Sequence, residues 1–338
     1  MAKWLNDTGS EKDVVVSTRI RMARNLEGYR FPHGMSMEES EELTHEILNT
    51  MKNFSGNGDY RFIKMNNLSP IDKMAFIEGH VISPGLIQKP DYSSFLLRND
   101  ENVTIMINEE DHLRIQSILP GLNFQGGWEL CNEIDDFLEE NLDFAFHGDF
   151  GYLTCCPTNA GTGLRASVMI HIPSIVLTGY ANSLVQGLNK IGLAVRGIYG
   201  EGSKAVGNLY QVSNQTTLGD KEEIIIEKLN NIIHQIIIKE RTARNTLLGT
   251  KKDELEDKIF RSLGLLKHSR VMNSKEAMVH LSNLRLGREM GIIEDMEYDD
   301  ITKLIIQIQP ASIQKDIGED LSKDERDIKR AELLRKRI

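Results

Sequence analysis

The chain has 338 residues, of which 40% are apolar and 27% are charged, and its formal net charge is −10. This is the mixture of a globular protein, and the acidic balance argues against a direct nucleic-acid binder. No apolar run reaches the ~18 residues that cross a membrane, and the polar N-terminus lacks a signal core, so we expect a cytoplasmic protein without a membrane partner. The three cysteines, at 131, 155 and 156, are too few and too poorly spaced for a disulfide framework or a zinc site.

Short β-like runs alternate with helical patterns through the first three quarters of the chain. Residues 101–108 (ENVTIMIN) alternate apolar and polar side chains, as a half-buried strand does. Apolar residues at helical spacing predict helices over 129–142 and 221–245. This order predicts a sheet backed by helices, of the α+β class. The further β-like runs cover residues 150–156, 165–172, 192–200 and 208–214.

The β-like runs stop near residues 247–252, and only helical signals follow. We therefore predict two domains, 1–250 with the sheet and 251–338 all-helical. The helical signals are Ser274 and Gly291 at the ends of one helix, Pro310 at the end of a second, and an S-x-x-E capping box, Ser322 and Glu325, at the start of the last.

Arginines are placed unusually in the first domain. Arg19 and Arg21 lie two apart after an apolar run, so an extended segment puts both on one face. A lone arginine near a strand end is most often a surface ion pair. Here several segments each bring arginines next to glycine, acidic residues or a strand end, and planar guanidinium forks bind phosphate oxygens bidentately. The pattern indicates a polyphosphate ligand, with Arg114, Arg165 and Arg196 as the other contributors.

A glycine turn, Gly161-Thr162-Gly163, lies between Cys156 and Arg165. The Lys-Ser/Thr pair that closes a Walker-type phosphate loop is missing there. We interpret the stretch as a tight turn with few side-chain atoms that lets the chain pass close to a nucleotide.

Five motifs in order, STRIR, NEEDHLR, CPTNAGTGLRAS, RGIYGE and YQVSNQTTLG, resemble those of the phosphagen kinases, the ATP:guanidino phosphotransferases. The resemblance covers roughly residues 14–245. It implies an antiparallel sheet flanked by helices, ATP and Mg²⁺ as cofactors, and Glu110, Cys156 and Glu201 as catalytic residues. The ATP-binding positions it implies are Ser17, Thr18, Arg19, Ile20, Arg21, His80, Arg114, Arg165, Ala166, Ser167, Val168, Met169, Arg196, Gly197, Ile198, Tyr199, Gly200 and Glu201.

Those roles agree with the chemistry of the reaction. A guanidinium is protonated at neutral pH and a poor nucleophile, so it must be aligned with the γ-phosphorus and lose a proton. Glu110 and Glu201 can grip its N–H groups, and one of them can accept the proton. A thiolate at Cys156 would add a third negative partner. Arginines spread the charge on the phosphoryl group, and Mg²⁺ is expected on the ATP phosphates without a protein metal site.

Two departures from the phosphagen kinases concern the substrate. STRIR begins at residue 17, so we expect their N-terminal helical domain to be absent here, and they have no counterpart of the helical C-terminal domain. Met169 also stands where small-molecule members often have histidine. The combination resembles the bacterial protein-arginine kinases, which implies transfer to arginine side chains of proteins, for which an open site is suited.

The tail sequence RDIKRA resembles the phosphoarginine-binding motif of those kinases. It supplies Arg326, Asp327 and Arg330, with Ala331 in place of the family's proline. On a helix, Arg326 and Arg330 share a face and could grip a phosphate, while Asp327 takes the guanidinium part. The alternative is an ordinary basic helix face.

The resemblance further implies a stress-response role with autophosphorylation, allosteric regulation and a homodimer formed by the C-terminal domain. Its implied partners are protein substrates with exposed arginine, including a heat-shock repressor, a small zinc-containing activator protein, and a Clp-type ATPase/protease that receives marked clients. Two other functions stay open: a kinase of free arginine or another small guanidino compound, and an inactive phosphoarginine-binding module.

Overall fold

The computed structural model describes residues 3–6, 9–56, 58–197 and 205–338. Within this part of the chain, eight strands form one antiparallel sheet and two short strands form a hairpin. The strands are β1 (Val15–Arg24), β2 (Tyr60–Lys64), β3 (Ser94–Arg98), β4 (Val103–Ile107), β5 (Leu113–Pro120), β6 (Phe146–His147), β7 (Gly151–Tyr152), β8 (Leu164–His171), β9 (Leu193–Gly197) and β10 (Leu209–Asn214). The order across the large sheet is β2-β3-β4-β5-β1-β8-β10-β9.

Strand β1 lies inside the sheet, between β5 and β8. Its alternating side chains put apolar residues on one face and arginines on the other. Ile20 and Met22 are buried in the main hydrophobic core. Arg19 and Arg21 lie on the opposite face, as their spacing predicts, because successive side chains of a strand point to opposite sides.

Helices cover the apolar face, which confirms the α+β class. α3 packs on β1 and β5, and α6 packs on β8 and β10. Apolar side chains repeat along both helices and close the main core. The helices of this part are α1 (Met37–Met51), α2 (Pro70–Glu78), α3 (Phe124–Asn141), α4 (Pro173–Leu177), α5 (Ala181–Lys190) and α6 (Glu222–Thr250).

The rest of the chain is helical and has a second core of its own. That core also takes in Val16, Leu209 and Leu247, so the helices are packed against the end of the sheet. The predicted capping box is confirmed: Ser322 accepts from the Glu325 backbone, and the Glu325 carboxylate accepts from the Ser322 N–H. These helices are α7 (Lys252–His268), α8 (Ser274–Glu289), α9 (Tyr298–Gln307), α10 (Pro310–Ile317) and α11 (Lys323–Arg337), and we call them the helical unit.

Several sequence-based boundaries were wrong for identifiable reasons. β4 is buried on both faces rather than half-buried, because Ile105 joins the main core and Met106 a third small core. The helix predicted from residue 129 begins at Phe124, where Asn123 caps it. The helix predicted to stop before Pro310 is α9, which ends at Gln307, and Pro310 also begins α10, since its fixed φ suits the first turn. The cap of α8 is Asn273, one residue before Ser274.

The β-like run at 150–156 forms a strand only over Gly151–Tyr152. Its later part turns away because the Cys155 N–H donates to the Asp111 carboxylate at 2.7 Å instead of to a neighbouring strand. Among the described helices, none is long and apolar enough to cross a membrane.

Candidate active site

Five arginines lie on the polar face of the sheet. Arg21 stands directly opposite Arg165 on β8, and on the other side Ala23 stands opposite Arg114 on β5. Further along the sheet, Ser17 stands opposite Met169 on β8, and Met169 stands opposite Gln211 on β10. Gln211 in turn stands opposite Arg196 on β9. Opposed residues in an antiparallel sheet share a face, so four strands deliver the five guanidinium groups to one surface.

The crowding has an electrostatic cost. Burial, and then the neighbouring Arg165 and Arg114, lower the pKa of Arg19 to about 10. Burial also lowers the pKa of Arg21, with Arg19 as its strongest repulsive neighbour. Arg19 stays protonated at neutral pH, so the face holds mutually repelling cations. A bound polyanion would relieve this repulsion.

A loop carrying His80 leans over these arginines. Val81 and Ile82 anchor it in the third small core, and the Gln116 amide donates to the carbonyls of His80 and Val81, at 3.0 Å each. His80 has a φ of 58°. Burial and the charge of Arg19 lower the pKa of His80 to about 3, so its imidazole is neutral at physiological pH.

Two cavities meet at three of the arginines. One, of about 400 Å³, is lined by His80 together with Arg19, Arg21, Arg165 and Arg196. The other, of about 350 Å³, is lined by Glu110, Cys156 and Arg114. Both are bounded by the same groups, Arg21, Arg165 and Arg196. Two ligands, one in each cavity, would therefore approach each other next to these guanidinium groups.

Arg114 orients the acidic side of the second cavity. Its guanidinium contacts Glu109 at 2.5 Å and Glu110 at 3.0 Å. Glu110 keeps 43% of its side chain exposed, so the carboxylate is fixed in direction yet open to solvent. Cys156 lies across the cavity, with its Sγ 3.0 Å from the Thr158 hydroxyl.

The glycine turn packs against the protein itself. A Cβ on Gly161 would lie 2.4 Å from the Thr217 carbonyl oxygen, and one on Gly163 would lie 2.5 Å from that of Ala23. Both glycines have positive φ. Contacts within the protein therefore already require both glycines, and our interpretation that the turn lets the chain pass close to a nucleotide stays a prediction.

Polar residues that lie outside the predicted catalytic and ATP-binding sets brace the site. Asp111 is buried and accepts from Asn25 and from the Cys155 N–H, at 2.7 Å each. His112 accepts from the Leu26 N–H through Nδ1 at 3.0 Å. In the sequence these residues are visible as polar side chains next to a strand, but a catalytic role was assigned only to the neighbouring Glu110. Asn214 braces the other side by accepting from the Ala166 N–H at 2.8 Å.

Several positions in the implied ATP-binding set serve as framework. Ile20, Ala166 and Val168 point into the main core, so their side chains do not reach the arginine face. Thr18 uses its hydroxyl to donate to the Gly121 carbonyl. Met169 packs against the core of the helical unit. Ser17 is buried, the Ser167 hydroxyl contacts the Arg19 carbonyl and Gly197 ends β9. Ile198, Tyr199, Gly200 and Glu201 lie outside the described residues.

The tail motif lies within the helical unit. Arg330 is 1% exposed and donates to the carbonyls of Ile308, at 2.6 Å, and Met272, at 2.9 Å, and it pairs with Asp327. Arg326 is half-buried and donates to the Leu321 carbonyl, and Ala331 is buried in the second core. Arg326 and Arg330 are therefore not presented together as two open forks in this conformation. Phosphoarginine binding here would require Arg330 to exchange partners, and it stays a prediction.

The described residues contain no group of three or more His, Cys, Asp or Glu side chains that could hold a metal ion. The arginine-rich surface suits anions rather than a bare cation.

Family models match almost the whole chain. Residues 39–243 match the ATP:guanido phosphotransferase C-terminal catalytic domain, and residues 252–338 match the protein-arginine kinase McsB C-terminal domain. The chain is 46% identical to a protein-arginine kinase of Halothermothrix orenii over 100% of this chain and 97% of that protein. It is 44% identical to a protein-arginine kinase of Bacillus subtilis over 100% of this chain and 93% of that protein.

Solved structures share the fold. A crystal structure of lombricine kinase is similar with a TM-score of 0.61 and 25% identity, over 70% of each chain. The duplicated taurocyamine kinase from Schistosoma mansoni is similar with a TM-score of 0.64 and 26% identity, over 75% of this chain and 37% of that one. The chain therefore belongs to the ATP:guanido phosphotransferase family and is a kinase related over its full length to the protein-arginine kinases.

Proposed function

We propose that this enzyme transfers the γ-phosphoryl group of ATP to the guanidino nitrogen of arginine side chains in proteins. The observation that carries the proposal is the meeting of two cavities at Arg21, Arg165 and Arg196. One cavity offers arginines and a neutral His80, and the other offers a carboxylate and a thiol. The arginines suit a polyphosphate and the carboxylate suits a guanidinium, so the two cavities can hold these two groups side by side.

On the nucleotide side, Arg19, Arg21, Arg114, Arg165 and Arg196 would hold the ATP phosphates. Preorganised cations need no rearrangement as charge develops on the transferred group, and they act most strongly where water is excluded. Mg²⁺ would be held by the phosphate oxygens and would supply further charge neutralisation. His80 would pack by the adenosine as an uncharged ring.

On the guanidine side, Glu110 would hold N–H groups of the substrate and align one nitrogen with the γ-phosphorus. The N–P bond forms as the bond from that phosphorus to the bridging oxygen of ADP breaks, and the guanidinium proton leaves to a carboxylate. Glu201, which the resemblance implies as the second carboxylate, would share this task. Cys156 would be the third contact to the guanidinium.

A protein substrate is favoured over a small molecule by the open carboxylate and by the names of the full-length relatives. The test incubates the enzyme with MgATP and either a denatured arginine-bearing protein or free arginine, followed by mass spectrometry that preserves acid-labile P–N bonds. We expect phosphoarginine on the protein. Transfer to free arginine alone would make the enzyme a small-guanidine kinase, as the solved relatives' names suggest for them.

The same assay separates a catalyst from an inactive binding module. Replacing Glu110 by Ala should lower the rate by about 10²-fold or more, the usual scale for a positioned acid–base group. Glu129→Ala on the exposed start of α3 is the matched control and should keep the wild-type rate. Equal rates in wild type and Glu110→Ala would contradict the catalytic assignment.

We further propose the two-part organisation, 1–250 catalytic and 251–338 regulatory, with phosphoarginine bound near Arg326, Asp327, Arg330 and Ala331. Arg326→Ala should lose phosphoarginine binding in calorimetry, while Lys329→Ala on the same helix should not. Unchanged binding in Arg326→Ala would remove the site from this helix.

The cytoplasmic stress-response role, autophosphorylation and the partners rest on the resemblance alone. The implied partners are a heat-shock repressor, a small zinc-containing activator and a Clp-type ATPase/protease. A homodimer through the helical unit has support in exposed apolar side chains on its paired helices α7 and α8, namely Phe260, Leu265 and Val279. Light scattering on Phe260→Glu should show a smaller particle than the wild type.

A further inference from the structure

The cavity that contains the arginines does not end at the catalytic sheet. Its far wall is formed by Ser274, Lys275 and Met278 of α8 and by Gln309 and Pro310 at the start of α10. We propose that the helical unit is part of the nucleotide site and that this wall holds the adenosine end of ATP. The inference rests on the proposed function, because it takes the arginines to hold the phosphates.

Strand β8 gives the cavity its direction. Its polar face carries, in order, Arg165, Ser167, Met169 and His171. Arg165 lines both cavities, Met169 packs on the core of the helical unit, and His171 Nε2 lies 2.8 Å from the Ser282 hydroxyl of α8. At ~3.3 Å per residue, Met169 lies about 13 Å along the strand from Arg165. A nucleotide with its phosphates on the arginines therefore extends toward α8.

The wall has the chemistry of a nucleoside site. Ile77 of α2 and Met278, which is buried in the core of the helical unit, both line the cavity, and an aliphatic chain and a thioether suit the flat faces of a base. Ser274 adds a hydroxyl, and Lys275 adds a positive charge at the exposed rim. Ligand cavities usually combine a mostly apolar lining with a few placed polar groups, and ~400 Å³ falls in their usual size range.

Both segments of the wall are held in place from behind. The Arg330 guanidinium donates to the carbonyl of Ile308, next to Gln309, and to that of Met272, two residues before Ser274. On the other side, the buried Glu78 carboxylate accepts from the N–H groups of Ala311, at 2.9 Å, and Ser312, at 2.7 Å. Glu78 itself lies two residues before His80, so α10 is tied to the loop that covers the arginines. A wall fixed in this way is preorganised for its ligand.

The test compares two ligands that differ only beyond the phosphates, MgATP and Mg-tripolyphosphate, by calorimetry on the full-length protein. Ser274→Phe places a ring in the far end of the cavity without touching the Asn273 cap. Lys275→Glu reverses the charge at the rim. Its control is Lys323→Glu, the same charge change in the first turn of α11, whose lysine is exposed and outside the cavity.

We expect Ser274→Phe and Lys275→Glu to weaken ATP binding roughly tenfold or more, while tripolyphosphate affinity stays within about twofold of the Lys323→Glu control. ATP affinities equal to the control in both variants would overturn the inference. A parallel loss of both ligands would also overturn it, because the effect would then lie at the phosphates or in the fold. Failure of the wild type to bind ATP would instead contradict the proposed function.

Discussion

Gly161 shows how little freedom single positions of the site have. Its φ is 104°, and an added Cβ would lie 2.4 Å from a backbone oxygen of Thr217. The Thr162 N–H next to it donates to that same oxygen at 2.9 Å. The turn between Cys156 and Arg165 is thereby fastened to the segment after β10.

Replacing Gly161 by Ala should lower the free energy of unfolding by about 2 kcal/mol or more, because both the backbone conformation and the contact become unfavourable. Gly187→Ala is the control, since it lies in α5 with nothing within 4 Å of the added Cβ. That change should raise stability by about 0.5–1 kcal/mol through helix propensity. Urea unfolding measures both, and equal effects would contradict the steric explanation.

At this scale the sequence predicted residue types better than residue neighbours. The arginine spacing and the motifs identified Arg19, Arg21, Arg114, Arg165 and Arg196, which do share one face. They could not indicate what approaches Gly161, because that neighbour lies more than fifty residues away along the chain.

The loop after α2 is sensitive to acid through its histidine. Its His80 has a folded-state pKa of about 3, while an unfolded histidine titrates near 6.5. Below about pH 6.5 the His80 ring of the unfolded chain becomes protonated, whereas the same ring in the folded protein stays neutral down to about pH 3. Stability from this group is therefore fully present above pH 6.5 and is lost as the pH falls.

Between pH 7 and pH 5 the wild type should lose about 1–2 kcal/mol of unfolding free energy that His80→Asn does not lose. Asparagine tolerates the positive φ of this position and does not titrate. Urea unfolding of both proteins at the two pH values measures the difference. Identical pH slopes would show that the His80 ring is not kept neutral by burial.

Elements were predictable where one period dominates the pattern and one face is buried. Residues 19–22 of β1 meet that condition, because Ile20 and Met22 lie in the main core and Arg19 and Arg21 lie on the opposite face. β4 does not, because its two faces enter different cores, and period alone cannot reveal a second core. The end of α9 before Pro310 was predicted, but the helix that Pro310 begins was not, because proline is compatible with either side of a helix boundary.

The Arg244 side chain is one link between the sheet part and the helical unit, beside the apolar core that they share. Arg244 of α6 contacts Asp13 at 3.2 Å and Glu289 of α8 at 3.1 Å, and the Glu289 side chain is 1% exposed. The segment around Arg244 reads in sequence as an ordinary charged helix face. Its partners lie 231 and 45 positions away, so only the fold could reveal them.

Arg244→Met should lower the free energy of unfolding by about 1–3 kcal/mol, because the buried Glu289 carboxyl, whose pKa burial raises to about 8, then keeps only the Tyr298 hydroxyl as a hydrogen-bond partner among the described residues. Arg241→Met is the matched control: its guanidinium also contacts Asp13 but is 43% exposed, so about 1 kcal/mol or less is expected. Adding Glu289→Gln to Arg244→Met should restore part of the loss. Additive losses in the double variant would contradict the pairing.

Strand β8 also limits how this enzyme can be altered. One face of the strand carries Arg165, Ser167, Met169 and His171 in order. We propose that the first of them holds the phosphates, and the last two contact the helical unit. Inserting or deleting one residue within the strand would turn these side chains inward and bring Ala166 and Val168 out to the ligand. Phosphate binding and domain attachment would fail together. The spacing from Arg165 to His171 therefore couples the proposed phosphate contact to the attachment of the helical unit.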